Sequence, residues 1–198
     1  MRHSLVTRLA AGFIAFLASA AALAAHAPER TLLAEPPRAI ADFQLTDQSG
    51  KAVKLSDFRG TPLLVFFGFT HCSTACPVAL HQLRQLEREH RAELGKTRIV
   101  IISVDGERDS PEAMKAWLKP LSEKFIGLTG APARVQNIAS NFSAAFYKQA
   151  GATPTEYQVE HTSQIFLVDA QGRLRATFFN APLATMAEVT RGIAAGKQ

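Results

Sequence analysis

Two cysteines four residues apart, Cys72 and Cys76, are the side chains of this sequence best suited to chemistry. They lie between a continuous apolar run, residues 63–68, and a predicted helix that Cys76 would cap. Free N–H groups and the dipole at a helix N-terminus stabilise a thiolate, which favours metal binding and nucleophilic attack alike. The remaining alternatives are a pair of inert thiols and a structural disulfide, which would add only about 2 kcal/mol across so short a loop. The spacing alone leaves these four possibilities open.

A third candidate is His161, which comes just before a predicted strand over residues 164–168. A lone histidine is more often a surface residue, but in a sheet with adjacent loops this imidazole could face the cysteine loop. Two thiolates and one imidazole form a soft, low-coordinate set that suits Cu(I), and an added oxygen or water ligand would accommodate Cu(II). Zinc would usually take a fourth ligand.

Other polar residues near these three have plainer interpretations. His71 adjoins Cys72, but adjacent side chains normally point apart, so we interpret it as a supporting or structural residue. Asp105 ends a predicted strand and either orients a ligand or caps a turn, whereas Asp109 or Ser110, before Pro111, is predicted to cap a helix. The polar surface of a predicted helix carries His81 and His90. The core and loop packing is assigned to Phe66, Phe67 and Phe69.

Strands and helices are predicted to alternate along the chain. Two short segments flanking a turn at residues 47–50 predict a β-hairpin, and short apolar runs predict buried strands. This alternation predicts an α/β fold with a mixed central sheet, flanked by helices and preceded by the N-terminal β-hairpin. The predicted strands are 63–68, 98–104, 125–128, 164–168 and 173–179, and the predicted helices are 78–94, 111–124, 134–146 and 183–194.

The N-terminus has the pattern of an exported protein. Residues 1–24 contain Arg2 and Arg8, then an apolar run and small residues, which predicts a signal peptide or, alternatively, an uncleaved membrane anchor. Residues 25–41, which include Pro36 and Pro37, predict an extended linker, and residues 42–198 a single domain. The expected location is the periplasm.

Composition narrows the class of protein. The chain has 198 residues of which 47% are hydrophobic, enough to bury one core without disulfides. Its formal charge of +5 falls to +3 without the two leader arginines, and so modest an excess predicts no nucleic-acid partner.

Three blocks of sequence carry the candidate residues in order. The first is FFGFTHC at residues 66–72 with Cys76-Pro77, the second is SVD at 103–105 with ERDSP at 107–111, and the third is VEH at 159–161 before IFLVD at 165–169. Together these blocks resemble the signature of the Sco/SenC family of copper proteins, and the similarity spans about residue 43 to the C-terminus.

The resemblance implies a thioredoxin-like fold that binds Cu(I) or Cu(II) through Cys72, Cys76 and His161. It also implies a copper chaperone that helps to assemble the copper A centre of cytochrome c oxidase. The implied partners are a copper-acceptor subunit of a terminal oxidase and a copper donor or periplasmic thiol reductant. Membrane contact would come only through an uncleaved leader or a membrane-bound partner.

Two departures from the family pattern lie close to the predicted site. Ser73 and Thr74 occupy positions where family members often carry Pro-Asp, and Gly106 stands where a proline is common. Enzymatic activity stays open, because a thiol:disulfide oxidoreductase that keeps an acceptor's cysteines reduced is the main alternative function. A copper-responsive sensor and a peroxidase are further alternatives on the same scaffold.

Overall fold

A computed structural model describes residues 29–73, 75–151 and 156–196 of the chain. The strands in this described part are β1 (Arg30–Ala39), β2 (Gln44–Asp47), β3 (Ala52–Lys54), β4 (Leu63–Gly68), β5 (Arg98–Ser103), β6 (Ile126–Thr129), β7 (Phe146–Gln149), β8 (Gln158–His161), β9 (Ile165–Val168) and β10 (Arg173–Phe179). The helices are a 3-10 turn (Leu55–Phe58), α1 (Ala75–Glu89), α2 (Arg91–Leu94), α3 (Pro111–Leu118), α4 (Pro132–Asn141) and α5 (Leu183–Ala194).

Eight strands form one mixed sheet in the order β1-β10-β9-β4-β5-β6-β2-β3. Strands β4, β5 and β6 are parallel, and the other neighbours are antiparallel. Every residue of β4 is buried, as its continuous apolar sequence predicts for a strand covered on both faces. The predicted mixed sheet, its helices and the β2–β3 hairpin are all present.

The largest difference from the sequence prediction is at the N-terminus. Residues 25–41 were expected to form a linker, but Arg30–Ala39 forms an edge strand that pairs antiparallel with β10. Pro36 and Pro37 read as linker residues, yet an edge strand tolerates proline because its outer side needs no N–H donor, and the register shifts at these residues. The sheet thus begins before residue 42. The predicted signal peptide, residues 1–24, lies outside the described residues.

Helix starts and ends differ from prediction in ways that affect the site. Helix α1 begins at Ala75, so Cys76 lies within its first turn instead of capping it. Ser110 caps α3, because its Oγ accepts a hydrogen bond from the Ala113 N–H at 3.2 Å. Of the two predicted caps, Ser110 is therefore confirmed and Asp109 is wrong. Helix α3 ends at Leu118, because Pro120 has no N–H to donate to a carbonyl of the preceding turn.

A two-stranded ribbon, β7 with β8, stands apart from the central sheet and was not predicted. Its first strand begins where helix α4 was expected to continue, but α4 ends at Asn141, and Ser143 then adopts a φ of 57°. Among the described residues, no helix has the length and apolar character needed to cross a membrane.

Candidate metal centre

The cysteine loop leaves the sheet at the carboxyl end of β4, where parallel strands commonly place ligands. Cys72 lies in the loop and is half-buried, whereas Cys76 is fully buried. The Cys76 N–H, one of the free amides of the α1 N-terminus, donates to Cys72 Sγ at 3.3 Å. The helix start therefore stabilises negative charge on Cys72, as the sequence suggested.

Gly68 makes room for the buried sulfur. A Cβ at this position would lie 3.0 Å from Cys76 Sγ and 2.7 Å from the Phe66 ring, both closer than side chains normally approach. A larger residue at the end of β4 would consequently displace Cys76 or the aromatic ring behind it.

His161 reaches the cysteines because of how two strands are paired. Strand β9 runs antiparallel to β4 and pairs Ile165 with Phe66, so the residues just before β9 lie at the carboxyl end of β4. His161 Nε2 lies 3.3 Å from Cys76 Sγ and 3.6 Å from Cys72 Sγ. The three donor atoms lie within 4.8 Å of one another, close enough to bind one metal ion.

The histidine is held in the state that a metal requires. Its Nδ1 lies 3.0 Å from the Thr162 carbonyl oxygen, which assigns the proton to Nδ1 and leaves the Nε2 lone pair facing the sulfurs. Burial lowers the pKa of the imidazole below its ordinary value, so the neutral ring prevails near pH 7. The rings of Phe66 and Phe69 meet the imidazole edge-on, with centroids 5.9 and 5.7 Å away.

The two thiols differ in their electrostatic surroundings. Burial raises the pKa of the Cys76 thiol well above its ordinary value, and hydrogen bonding to Cys72 and the charges of Cys72 and Asp109 raise it further. The thiol is therefore protonated at neutral pH, and binding a metal would release that proton. Both cysteines are free in the structure.

Asp109 anchors the cysteine loop, a role that the sequence analysis missed. This fully buried carboxylate accepts hydrogen bonds from the Thr70 N–H at 3.0 Å, the Thr70 hydroxyl at 2.6 Å and the Ser103 hydroxyl at 2.7 Å. It thereby ties the loop after β4 to the end of β5. The position of Asp109 directly before Ser110 and Pro111 is equally typical of a cap, so no sequence signal separated the two roles.

His71 has the structural role that was predicted. Its side chain is largely exposed, with Nδ1 2.9 Å from Thr70 Oγ1 and 3.9 Å from Asp109 Oδ1. His71, Asp105 and Asp109 also place donor atoms within 4.8 Å of one another. Their carboxylates, however, are already engaged, since Asp105 accepts from Arg108 and from the Tyr157 hydroxyl. This second cluster is explained as structural.

The structure accounts for the glycine at position 106. A Cβ there would overlap the backbone carbonyl oxygen of Gly130, so the turn after β5 packs directly against the end of β6. The glycine permits this close approach.

Similarity to known proteins identifies the family of this chain. A model of the SCO1/SenC family matches residues 33–195. The chain belongs to the SCO1/SenC family. An SCO2-like protein of Rickettsia conorii is 31% identical over 142 residues, which cover 70% of this chain and 68% of the relative.

Solved structures support the fold of this SCO1/SenC chain. ScoI of Bradyrhizobium japonicum, solved with copper bound, superposes with a TM-score of 0.69 at 33% identity, covering 81% of this chain and 99% of ScoI. BsSco, described as a Sco-family cytochrome c oxidase assembly protein with a disulfide switch, gives a TM-score of 0.68 at 28% identity, covering 81% of this chain and 96% of BsSco. The predicted thioredoxin-like α/β fold is confirmed.

Proposed function

We propose that this protein binds copper through Cys72 Sγ, Cys76 Sγ and His161 Nε2 and helps to assemble the copper A centre of cytochrome c oxidase. The observation that carries the proposal is the convergence of two sulfurs and one imidazole nitrogen within 4.8 Å. This soft donor set suits Cu(I). Copper in a solved relative, and the assembly role given for BsSco, support the same assignment.

The unequal burial of the cysteines suggests how copper is handed over. Cys76 lies at the base of the site, whereas half-buried Cys72 borders solvent. An incoming acceptor thiolate can therefore replace Cys72 first, and Cys76 and His161 would be released afterwards. Stepwise exchange of thiolates keeps copper bound throughout the transfer.

The proposed setting is the periplasm, with a membrane-bound oxidase subunit as the copper acceptor. Support comes from the leader-like pattern of residues 1–24 and from the oxidase-assembly role of the Sco family. A copper donor and a thiol reductant complete the proposed set of partners, because both thiols must be reduced before they can bind Cu(I).

Copper binding is tested by anaerobic titration of the reduced protein with Cu(I) against a competing chelator. We expect wild type to bind one copper ion, His161→Ala to bind it more weakly, and the Cys72→Ser/Cys76→Ser double variant to lose it. His81→Ala, which changes an exposed histidine on α1, is the matched control and should bind like wild type. Equal binding by all variants, or none by wild type, would contradict the proposal.

An experiment with the copper-loaded protein then distinguishes copper delivery from thiol:disulfide exchange, which is the alternative function. Exchange is less well supported, because His161 places a third donor atom beside the two sulfurs, which a metal site uses and disulfide exchange does not need. Mixing copper-loaded protein with a reduced copper A domain should move copper to that domain. If copper stays in place while the copper-free protein reduces an oxidised domain, exchange is the function.

A further inference from the structure

The β7–β8 ribbon carries His161 and contacts the rest of the domain through Val159, which lies in the buried core, and through the Phe66 and Phe69 rings, which meet the imidazole. At one end, His161 pairs with Phe146, and next to it the Thr162 hydroxyl accepts from the Ala145 N–H at 2.9 Å. These contacts lie within the ribbon and its continuation, and they set the shape of the ribbon. Apolar packing is non-directional, so hydrogen bonds at the other end of the ribbon would add a directional restraint on the position of the imidazole.

That other end is attached through Tyr157, the residue before β8. Its buried hydroxyl donates to Asp105 Oδ1 at 2.6 Å, and Asp105, which is 0% exposed, lies in the turn directly after β5. Arg108 Nε donates to the second oxygen of the same carboxylate. Both oxygens of this buried charge are thus occupied, and one of the bonds comes from the ribbon.

Arg108 also contacts the ribbon and the cysteine loop directly. Its Nη1 donates to the Tyr157 carbonyl oxygen at 3.2 Å, and its guanidinium lies over the Tyr157 ring, 3.7 Å from the centroid. The same guanidinium lies 5.9 Å from the centroid of the Phe69 ring. That ring also meets the His161 imidazole edge-on. One arginine thus links the ribbon, the turn after β5 and the aromatic wall of the metal site.

We propose that Tyr157 and Arg108 are positioning residues that hold the ribbon so that His161 faces the two sulfurs. The proposal rests on the copper site proposed above and deepens it. Tyr157 lies four residues before His161, about 13 Å along an extended strand, so its influence passes through the strand. Neither residue is a metal ligand in this account.

The effect should differ between the two oxidation states of copper. Two thiolates alone are a sufficient ligand set for Cu(I), whereas Cu(II) favours nitrogen and oxygen donors and a higher coordination number. A ribbon that no longer holds His161 in place should therefore weaken Cu(II) binding more than Cu(I) binding. Tyr157 and Arg108 would in this way set the relative affinity of the site for the two ions.

The chain offers a matched pair of tyrosines for the test, Tyr147 in β7 and Tyr157 directly before β8. Tyr157→Phe removes only the hydroxyl that reaches Asp105, and the carboxylate keeps its Arg108 partner. Tyr147→Phe makes the same chemical change at a residue that is 65% exposed. Arg108→Lys keeps the positive charge but loses the fork of donors and the planar stacking.

The first measurement is copper binding by the intact variants, supplied with Cu(II) and, separately and anaerobically, with Cu(I). Tyr157→Phe and Arg108→Lys should weaken Cu(II) binding at least about tenfold, weaken Cu(I) binding less, and shift the Cu(II) electron paramagnetic resonance spectrum towards that of His161→Ala. Tyr147→Phe should match wild type in all three. A wild-type spectrum and affinity for Tyr157→Phe would overturn the proposal.

Hydrogen exchange of the copper-free variants supplies a readout independent of metal. Faster amide exchange confined to residues 158–162 supports a positioning role. Faster exchange throughout β4 and β5 as well would mean that Tyr157 merely stabilises the whole fold, which would overturn it. If wild type binds no copper, the proposed function fails, while this exchange measurement still tests the attachment of the ribbon.

Discussion

At the residue scale, Gly106 makes a close backbone contact beside the site. Because a Cβ there would overlap the Gly130 carbonyl oxygen, we expect Gly106→Ala to lower the free energy of unfolding by about 1–3 kcal/mol. Gly192→Ala is the matched control, since nothing lies within 4 Å of a Cβ at this helical position, and it should raise stability by about 0.5–1 kcal/mol. Denaturant titration checks both, and equal effects would contradict the close contact.

The Cys76 thiol gives the proposed site a pH dependence whose sign is fixed. Burial raises the pKa of this thiol, so at neutral pH it carries a proton that Cu(I) must displace. Apparent Cu(I) affinity should therefore rise with pH, by about tenfold per pH unit from this thiol alone. His161 does not oppose this trend near neutrality, because burial lowers the pKa of its imidazole.

Cu(I) titrations between pH 6 and pH 8 check this dependence, with a chelator calibrated at each pH. His161→Ala should bind more weakly but keep the contribution of Cys76 to the slope, whereas Cys76→Ser should lose that contribution. A wild-type affinity that falls as pH rises would contradict protonation of the buried thiol.

At the scale of elements, the sequence predicted the strands and helices whose hydrophobic pattern follows from which of their own residues are buried. Strands β4 and β10 and helix α5 have the predicted bounds, because continuous apolar runs and helical periodicity are local signals. The ribbon was missed because β7 and β8 have four residues each, and β7 is largely exposed. The ribbon is held by strand pairing, by Val159 in the core and by the hydrogen bond from Tyr157 to the distant Asp105, and no local pattern records these contacts.

The residues of the candidate site likewise include some that the sequence could identify and some whose roles it could not. Cys72 and Cys76 could be singled out by type and spacing, and His161 by resemblance to a family. The hydrogen bonds of Asp109 and the role of Tyr157 in attaching the ribbon could not be predicted, because they join residues 39 and 52 positions apart in the chain. Such pairings become visible only when the sheet places the two segments at one edge.

At the scale of the whole molecule, the proposed site joins parts of the chain that are distant in sequence. Cys72 and His161 are 89 residues apart, so a metal bound by both would hold the cysteine loop against the ribbon only in the folded state. Binding that is specific to the folded state stabilises it through mass action. Copper should therefore raise the free energy of unfolding of the entire domain. Its effect should not be limited to ordering the cysteine loop.

The thermal midpoint of unfolding measures this coupling. With free Cu(I) held at 1,000 times the dissociation constant, stabilisation should reach about 4 kcal/mol, which corresponds to a rise of roughly 10 °C for a domain of this size. At the same free Cu(I), His161→Ala should show a smaller rise, since it binds more weakly, and the Cys72→Ser/Cys76→Ser variant none. If His161→Ala were stabilised as much as wild type, copper would be held by the cysteine loop alone, and the ribbon would contribute nothing to the folded, metal-bound state.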